Sequence, residues 1–217
     1  MNMKLSIAAA VAAVALVSSM ASASLIVSFN QTDLALPEVN FAPSVPAGPN
    51  SLQVHSGFSA PVGVRVVAFD GSIFNNVVVE LTGLTAVGSA GSLFGSVGQE
   101  LGAGTFTLKS GLTVLLAGTV NSPATLFGSS TSGSVTSNNV TYTGGTIFTA
   151  FQGVGGVATG GELSFSLLNI TPALSVTAGN LNTFAASVTG QFSGIIPEPS
   201  ALGLLAPAAL VLVRRRK

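Results

Sequence analysis

The chain has 217 residues, of which seven are basic, seven are acidic, and none is cysteine or tryptophan. A chain without cysteine has no disulfide, no thiolate metal site and no cysteine nucleophile. Between residues 24 and 194 the bases are Arg65 and Lys109, and the acids are Asp33, Glu38, Asp70, Glu80, Glu100 and Glu162. This segment lacks the basic surface that binds nucleic acid phosphates, so we expect no nucleic acid partner.

The first 23 residues have the three parts of a secretory signal peptide. Lys4 supplies the charge, Leu5 to Val17 form an apolar run, and Ala21-Ser22-Ala23 is a site with small residues at the two outer positions. We therefore predict export by Sec-type machinery and a mature chain that begins at Ser24. The alternative is an N-terminal membrane anchor that is retained, which the short, alanine-rich run and the cleavage site disfavour.

Three strands are predicted between residues 24 and 104, separated by stretches rich in proline or glycine. The stretch from Pro37 to Pro49 predicts a loop or an extended edge segment. The stretch from Val87 to Gly104 is irregular, and a helix around Leu93 to Leu101 is disfavoured by its glycines. The predicted strands are Leu25 to Phe29, Val62 to Val66 before the turn Asp70-Gly71, and Val77 to Leu81 before Thr82-Gly83.

Two hairpins and two further strands are predicted between residues 105 and 194. Phe106 to Leu116 is typical of a hairpin that turns at Ser110-Gly111, and Val140 to Phe151 of a second one that turns at Gly144-Gly145. Between them, the polar stretch from Asn121 to Asn139 predicts a loop. The last strands are Leu163 to Leu167 and Phe184 to Phe192, the latter with Phe184, Ala186, Val188 and Phe192 on one face.

About eight to ten short strands, without a convincing amphipathic helix, predict an all-β fold. We expect an antiparallel β-sandwich or jelly roll over residues 24–194, flanked by a signal peptide (1–23) and a C-terminal segment (195–217) that includes a short transmembrane helix. A parallel sheet is disfavoured because the crossover helices it needs are missing. The phenylalanines of the alternating strands are predicted to fill the core.

Catalytic residues are sparse in this sequence. The single histidine, His55, has Ser56 and Ser59 near it, but no Gly-x-Ser-x-Gly pattern supports a serine hydrolase. No acids form the distinctive pair that glycoside cleavage needs. Tyr142 is the one phenol that could both stack on a sugar and hydrogen-bond it, although a structural place on a sheet face suits it better. We therefore predict a non-enzymatic domain without a cofactor.

The sequence offers candidates for two kinds of surface site. The candidate calcium ligands are Asp33 with Glu38, or Asp70 with Asn75 and Asn76, because calcium prefers oxygen ligands. Candidate positions for attached glycans are the sequons at Asn139 and Asn169 and the polar stretch from Ser129 to Ser137.

The C-terminal segment combines a proline motif, an apolar run and a basic end. Pro197-Glu198-Pro199-Ser200 is followed by an apolar run from Ala201 to Val213 and by Arg214, Arg215, Arg216 and Lys217. As a helix this run would be about 20 Å long, which is thin for a bilayer core of roughly 30 Å. The basic end is predicted to stay cytoplasmic, which places the rest of the chain outside the membrane.

This tail resembles the PEP-CTERM sorting signal of bacterial surface proteins, and the resemblance covers about the last 21 residues. One departure is Pro207, which lies in the middle of the apolar run. The resemblance implies processing by an exosortase at the proline motif. It also implies delivery to the cell surface or extracellular matrix, in association with exopolysaccharide or biofilm. The alternatives are an ordinary single-pass anchor and a carbohydrate-binding or polysaccharide-acting domain that uses the same route.

Overall fold

The computed structural model describes residues 22–32, 39–43, 50–55, 64–121 and 123–197. Within them the chain forms fourteen strands and one helix, α1 (Thr146–Gly153), and residues 23–195 make one compact unit. The strands are β1 (Ser22–Gln31), β2 (Val39–Pro43), β3 (Asn50–His55), β4 (Val64–Ala68), β5 (Ile73–Leu93), β6 (Ser96–Leu101), β7 (Gly104–Ser110), β8 (Thr113–Val120), β9 (Ala124–Ser129), β10 (Ser132–Gly144), β11 (Gly161–Thr171), β12 (Val176–Thr177), β13 (Asn180–Leu181) and β14 (Phe184–Ile196). The prediction of an all-β chain is confirmed.

Twelve of the described strands form one sheet, whose ladders return to the strand where they start. The circuit runs through β5, β7, β8, β10, β11, β14, β1 and β4, and then back to β5. Two shorter connections cross it: β2 and β3 join β14 to β5, and β6 and β9 join β5 to β10. Each strand of the circuit thus has partners on both sides, which satisfies its backbone groups.

The core is built from the inward side chains of alternating residues and is rich in aromatic rings. Phe184, Ala186, Val188 and Phe192 are all buried, so the predicted inward face of this strand is confirmed. Phe192 stacks on Phe106 with ring centroids 4.3 Å apart and meets Phe165 edge to face at 5.6 Å. These contacts join distant parts of the chain through packing alone, without disulfides.

β1 and β14, which come first and last among the described strands in chain order, are neighbours in the sheet. A Cβ added at Gly190 would lie 2.8 Å from Phe29, and one added at Gly194 would lie 2.6 Å from Ile26. Residue numbers therefore rise along β14 as they fall along β1, which makes the two strands antiparallel. The start of β1 and the end of β14 consequently lie side by side, at the same end of the two strands.

Two polar or glycine-rich stretches form strands where the sequence predicted irregular structure or a loop. The stretch around Leu93 to Leu101 is a hairpin of β5 and β6, with Phe94 and Gly95 at positive φ in its turn. The stretch from Asn121 to Asn139 contains β9 and the first part of β10. The loop prediction was wrong because the many Ser and Thr residues of this stretch hid the alternation of a strand. Most of their side chains lie on an outward sheet face, and the β9–β10 ladder pairs their backbone groups.

The second predicted hairpin is wrong in its second half. The chain leaves β10 at Gly144 and forms α1 instead of a strand. Ile147, Phe148 and Phe151 of this helix are buried, so its apolar residues face the core at helical spacing. Their β-branched and aromatic character favours a strand only when packing does not decide otherwise.

The remaining strand predictions differ mainly in length and number. The β7–β8 hairpin and its turn at Gly111 are confirmed, as is the first strand. The strand predicted from Val62 to Val66 is confirmed from Val64 onward as β4, and Val62 and Gly63 lie outside the described residues. The proline-rich stretch contains β2, which pairs with β3 and β14 and is therefore no edge. β5 does not stop at Gly83 but passes through it at a φ of 89°. Fourteen described strands thus replace the eight to ten expected.

The predicted signal peptide and sorting tail fall mostly outside the described residues. Of the signal peptide, the structure describes Ser22 and Ala23, at the start of β1, and of the proline motif it describes Pro197. Among the residues described, no helix has the length and apolar character that crossing a membrane requires.

Candidate functional site

A polar cleft of about 650 Å³ opens on the outer face of β9, β10, β11 and β14. Its walls carry hydroxyl, amide and carboxylate groups, and its floor includes the buried side chains of Ser137 and Leu163. The lining residues are Pro123, Thr125, Thr136, Ser137, Asn138, Glu162, Leu163, Ser164, Gln191 and Ser193. Five of these belong to β11 and β14, whose ladder fixes their spacing.

A β-bulge in β10 shapes one wall of the cleft. Ser137 pairs with Leu163 and Val140 pairs with Gly161, so two residues of β10, Asn138 and Asn139, lie opposite one residue of β11. A bulge of this kind bends its strand and redirects side chains, and bulges are frequent next to functional sites. Here the bulge lies opposite Glu162, which lines the cleft.

Side-chain hydrogen bonds hold the bulge in place. The Ser137 hydroxyl donates to the carbonyl of Pro123 at 3.4 Å and accepts from the backbone N–H of Asn139 at 3.2 Å. The Asn121 amide donates to Asn139 Oδ1 and to the Thr141 hydroxyl, both at 3.1 Å. Ser137 and Asn139 are therefore tied to the segment that contains Asn121 and Pro123, which preorganises this wall.

Tyr142 supports the cleft from inside the core. Its hydroxyl donates to the carbonyl of Ser193, a residue that lines the cleft, at 2.5 Å. Burial raises the pKa of the Tyr142 phenol well above its usual value, and the charge of Glu162 raises that pKa further. The phenol therefore stays protonated and ties β10 to β14.

The cleft is suited to hold a polar, hydroxyl-bearing ligand. Thr125, Thr136 and Ser164 offer hydroxyls that both donate and accept, and Gln191 adds an amide with both functions. Glu162 is the one carboxylate in the lining. Two facing carboxylates, as glycoside cleavage requires, are therefore not among the lining residues, and the hydroxyl, amide and carboxylate groups present can hydrogen-bond a polar ligand.

The sequence missed this cleft, and the structure changes the reading of Tyr142. That phenol is 2% exposed and faces the rings of Phe106 and Phe148, so it cannot present a face to a sugar. The structural reading of Tyr142 is the correct one. The one local signal for the cleft was the polar pair Asn138-Asn139, which looked like part of a loop.

The other catalytic candidates are not brought together in the described residues. His55 ends β3, where its backbone pairs with Glu80 of β5, and nothing further is described for its side chain. Ser56 and Ser59 lie outside the described residues. Glu80 forms an ion pair with Lys109 at 2.9 Å, on strands away from the cleft.

The calcium candidates are not supported where they are described. The Asp70 carboxylate accepts from the backbone N–H of Ser72 at 2.9 Å, and this hydrogen bond lowers the pKa of the carboxyl group. Asp70 thus closes its own turn, and among the described residues no three acids or histidines cluster as a metal site would need. The pair Asp33 and Glu38 lies outside the described residues.

The glycan candidates all lie among the described residues. Asn139 is exposed in the β10 bulge and Asn169 is exposed in β11 at a φ of 53°, while the stretch from Ser129 to Ser137 contains the end of β9, the turn at Ser130 and Thr131, and the first part of β10. Ser137 is buried, so the hydroxyls of this hairpin that remain accessible are those on its outer face.

The predicted processing sites lie at the two ends of the described chain. Ala23 and Ser24 are in β1, before the residues that pair with β4, and Ala21 lies outside the described residues. β14 continues to Ile196, and Pro197 follows it directly and is exposed. Glu198, Pro199, Ser200 and the basic end from Arg214 to Lys217 lie outside the described residues. Comparisons with models of protein families, with curated proteins and with solved structures give no match to this chain.

Proposed function

We propose that this chain is an exported, non-enzymatic surface or extracellular-matrix protein of the PEP-CTERM type. Sec-type machinery exports it, and the C-terminal apolar run holds it in the inner membrane with the basic end in the cytoplasm. An exosortase then processes it at Pro197-Glu198-Pro199-Ser200 and releases it to the cell surface or matrix, in association with exopolysaccharide. In this proposal residues 24–194 form an antiparallel sandwich or jelly roll.

One observation supports the proposal best: the folded ladder ends where the proline motif begins. β14 pairs with β11 as far as Ser193 and continues to Ile196, and the next residue is Pro197. Proline has no N–H for a ladder, so a strand ends naturally here. Cleavage at the motif would leave all fourteen described strands intact, whereas cleavage further upstream would cut β14 out of the sheet.

The start of the chain is equally compatible with processing. The β1–β4 ladder runs from Val27 to Gln31, so removal of residues 1–23 leaves every one of its pairs. Ser22 and Ala23, which precede the proposed cut, belong to β1 in the folded chain. Removal of the signal peptide is thus expected before folding.

Intact mass and C-terminal peptide mapping of protein recovered from the producing cells and their medium test the sorting proposal. We expect a species that starts near Ser24 and ends near the proline motif. Replacement of Pro197-Glu198-Pro199 by alanines should abolish this species, and a matched replacement of exposed Ser129, Ser130 and Thr131 should not. Recovery only of chains that end at Lys217 would mean a simple membrane anchor and would refute processing.

A second candidate function, carbohydrate binding, is favoured by the polar cleft. Its hydroxyl, amide and carboxylate groups are the partners that sugar hydroxyls need, and its volume is within the range of ligand sites. Retention of the full-length chain on a polysaccharide column would support this function. Passage without delay through columns of several polysaccharides would contradict it and would leave the sorting proposal untouched.

A further inference from the structure

We infer that the cleft and the exposed ring of Phe127 form one binding surface for a neutral polysaccharide chain. The inference rests on the proposed carbohydrate binding and adds the ligand class and the residues. The surface is the outer face of β6, β9, β10, β11 and β14, and its polar part is the cleft.

The first support is a cross-strand row of polar side chains. Ladder pairs join neighbouring strands in the order Glu100, Thr125, Thr136, Ser164 and Gln191. Four of these side chains are exposed and Ser164 is half-buried. With strands about 4.8 Å apart, the row is roughly 19 Å long, which suits a chain of several sugar rings rather than one small molecule.

The second support is an aromatic ring beside this row. Phe127 lies two residues after Thr125 on the same face of β9, roughly 7 Å along the strand. Its side chain is 56% exposed. By contrast, the phenylalanines whose rings contact one another in the core are buried, namely Phe29, Phe106, Phe165 and Phe192. An exposed ring next to hydroxyl groups can stack on the apolar C–H face of a sugar while the hydroxyls bind its edge.

The neighbours of Phe127 leave its ring open. In the next row its ladder partners are Gly98 on β6 and Ser134 on β10. A Cβ added at Gly98 would lie 3.9 Å from the ring, so the ring leans over this glycine without a side chain above it. Ser134 is small, and its hydroxyl points to the Phe127 carbonyl at 3.5 Å. Small residues on both sides leave room for a ligand.

The charge of the face determines the ligand class. The five strands carry two acids, Glu100 and Glu162, and no base. The carboxylates of Glu100 and Glu162 would repel polyuronates and sulfated polysaccharides. Neither described base of the domain, Arg65 or Lys109, lies on these strands to offset this repulsion. A neutral polysaccharide avoids this repulsion, and its hydroxyls can donate to the carboxylate of Glu162.

Affinity electrophoresis of the full-length chain tests the inference. The gels contain dextran, a mixed-linkage β-glucan, a galactomannan or the producing organism's own exopolysaccharide, and a polyuronate serves as the charged counterpart. We expect retardation by at least one neutral polysaccharide. Phe127→Ala should weaken that binding roughly tenfold, and Gln191→Ala should weaken it as well.

Two further variants separate the site from general effects. Phe127→Tyr keeps the ring and should bind like the unmodified chain. Leu112→Ala removes an apolar side chain that is even more exposed than Phe127 from the β7–β8 turn, outside this face, and should change nothing. Circular dichroism of each variant checks that the fold is retained, as expected for exposed positions.

The outcomes distinguish the inference from the function on which it rests. Binding that Phe127→Ala and Gln191→Ala both leave unchanged would overturn this site but keep carbohydrate binding. Stronger retardation by the polyuronate than by neutral polysaccharides would overturn the ligand class. Retardation by none of the polysaccharides would overturn both the inference and carbohydrate binding, while the sorting proposal would stand on its mass measurement.

Discussion

Replacing Tyr142 by phenylalanine tests the hydrogen bond beneath the cleft. The substitution keeps the buried ring and removes the hydroxyl that donates to the Ser193 carbonyl at 2.5 Å. A buried acceptor that loses its donor costs about 1–3 kcal/mol, and because Ser193 is half-buried we expect the lower part of that range. At about 1–1.5 kcal/mol the melting temperature of a domain of this size falls by roughly 2–6 °C.

The same substitution has a pH signature, because Tyr142 is the only tyrosine. Its pKa is raised in the folded state, so the folded chain keeps the phenolic proton when the unfolded chain has lost it. The stability gained from this hydroxyl is therefore fully present below the unfolded pKa of about 10 and is lost as the pH rises towards the folded pKa. The unmodified chain should lose up to about 1.4 kcal/mol per pH unit relative to Tyr142→Phe in this range.

Urea unfolding followed by circular dichroism measures both effects. The full-length chain and Tyr142→Phe are compared between pH 7 and roughly pH 11, with Ser166→Ala as a control that removes an exposed hydroxyl from β11. We expect the difference between the two chains to be constant up to about pH 9 and to shrink above pH 10. Equal stability at pH 7, or a difference that does not change with pH, would refute this reasoning.

Three further predictions concern stability. Phe192→Ala should cost about 3–5 kcal/mol in urea unfolding, because this fully buried ring contacts three other phenylalanines. Gly161→Ala should cost about 1–3 kcal/mol in the same assay, because the added Cβ would lie 2.5 Å from the Tyr142 ring. A double-mutant cycle of Lys109→Ala and Glu80→Ala should give a coupling of about 0.2–1 kcal/mol that falls in high salt, because both side chains are more than a third exposed.

Each of these predictions has a contradicting result. A loss below about 1 kcal/mol for Phe192→Ala, similar to that expected of an exposed position, would contradict the central place of its ring. An unchanged urea midpoint for Gly161→Ala would mean that Tyr142 shifts freely. A coupling between Lys109 and Glu80 that salt does not reduce would contradict an accessible ion pair.

The sequence predicted the parts of the fold that depend on neighbouring residues. Alternation in Phe184 to Phe192 defines an inward face whatever the partner strand is, and Gly111 supplies a turn that needs no tertiary contact. The segment from Thr146 to Gly153 was misread because its conformation is decided by what its apolar residues pack against. Isolated β-propensity carries no information about that packing.

The cleft could not be predicted because its residues meet only through the ladders. Thr125 and Gln191 are far apart in sequence, and the register of three ladders sets them in one row. Strand order and register were not readable from the sequence, so Thr125 and Thr136 appeared in a loop, while Ser164 and Gln191 appeared in separate strands with no sign that they meet. The exposed Phe127 was equally hidden, since it lies in the stretch that was predicted to be a loop and that forms β9 in the structure.

The antiparallel contact of β1 with β14 has a mechanical consequence. The two ends of residues 23–195 leave the sheet at one edge, so opposite pulls on them would open the β1–β14 ladder one hydrogen bond at a time. After removal of the proposed signal peptide, only the end of β14 is tethered, and the opposing force acts on the rest of the folded domain. A pull then loads β14 along its length. The β11 ladder from Ser193 to Ala185 then resists as a whole. Release of the N-terminal end would thus convert a domain that unzips under tension into one that bears load in shear.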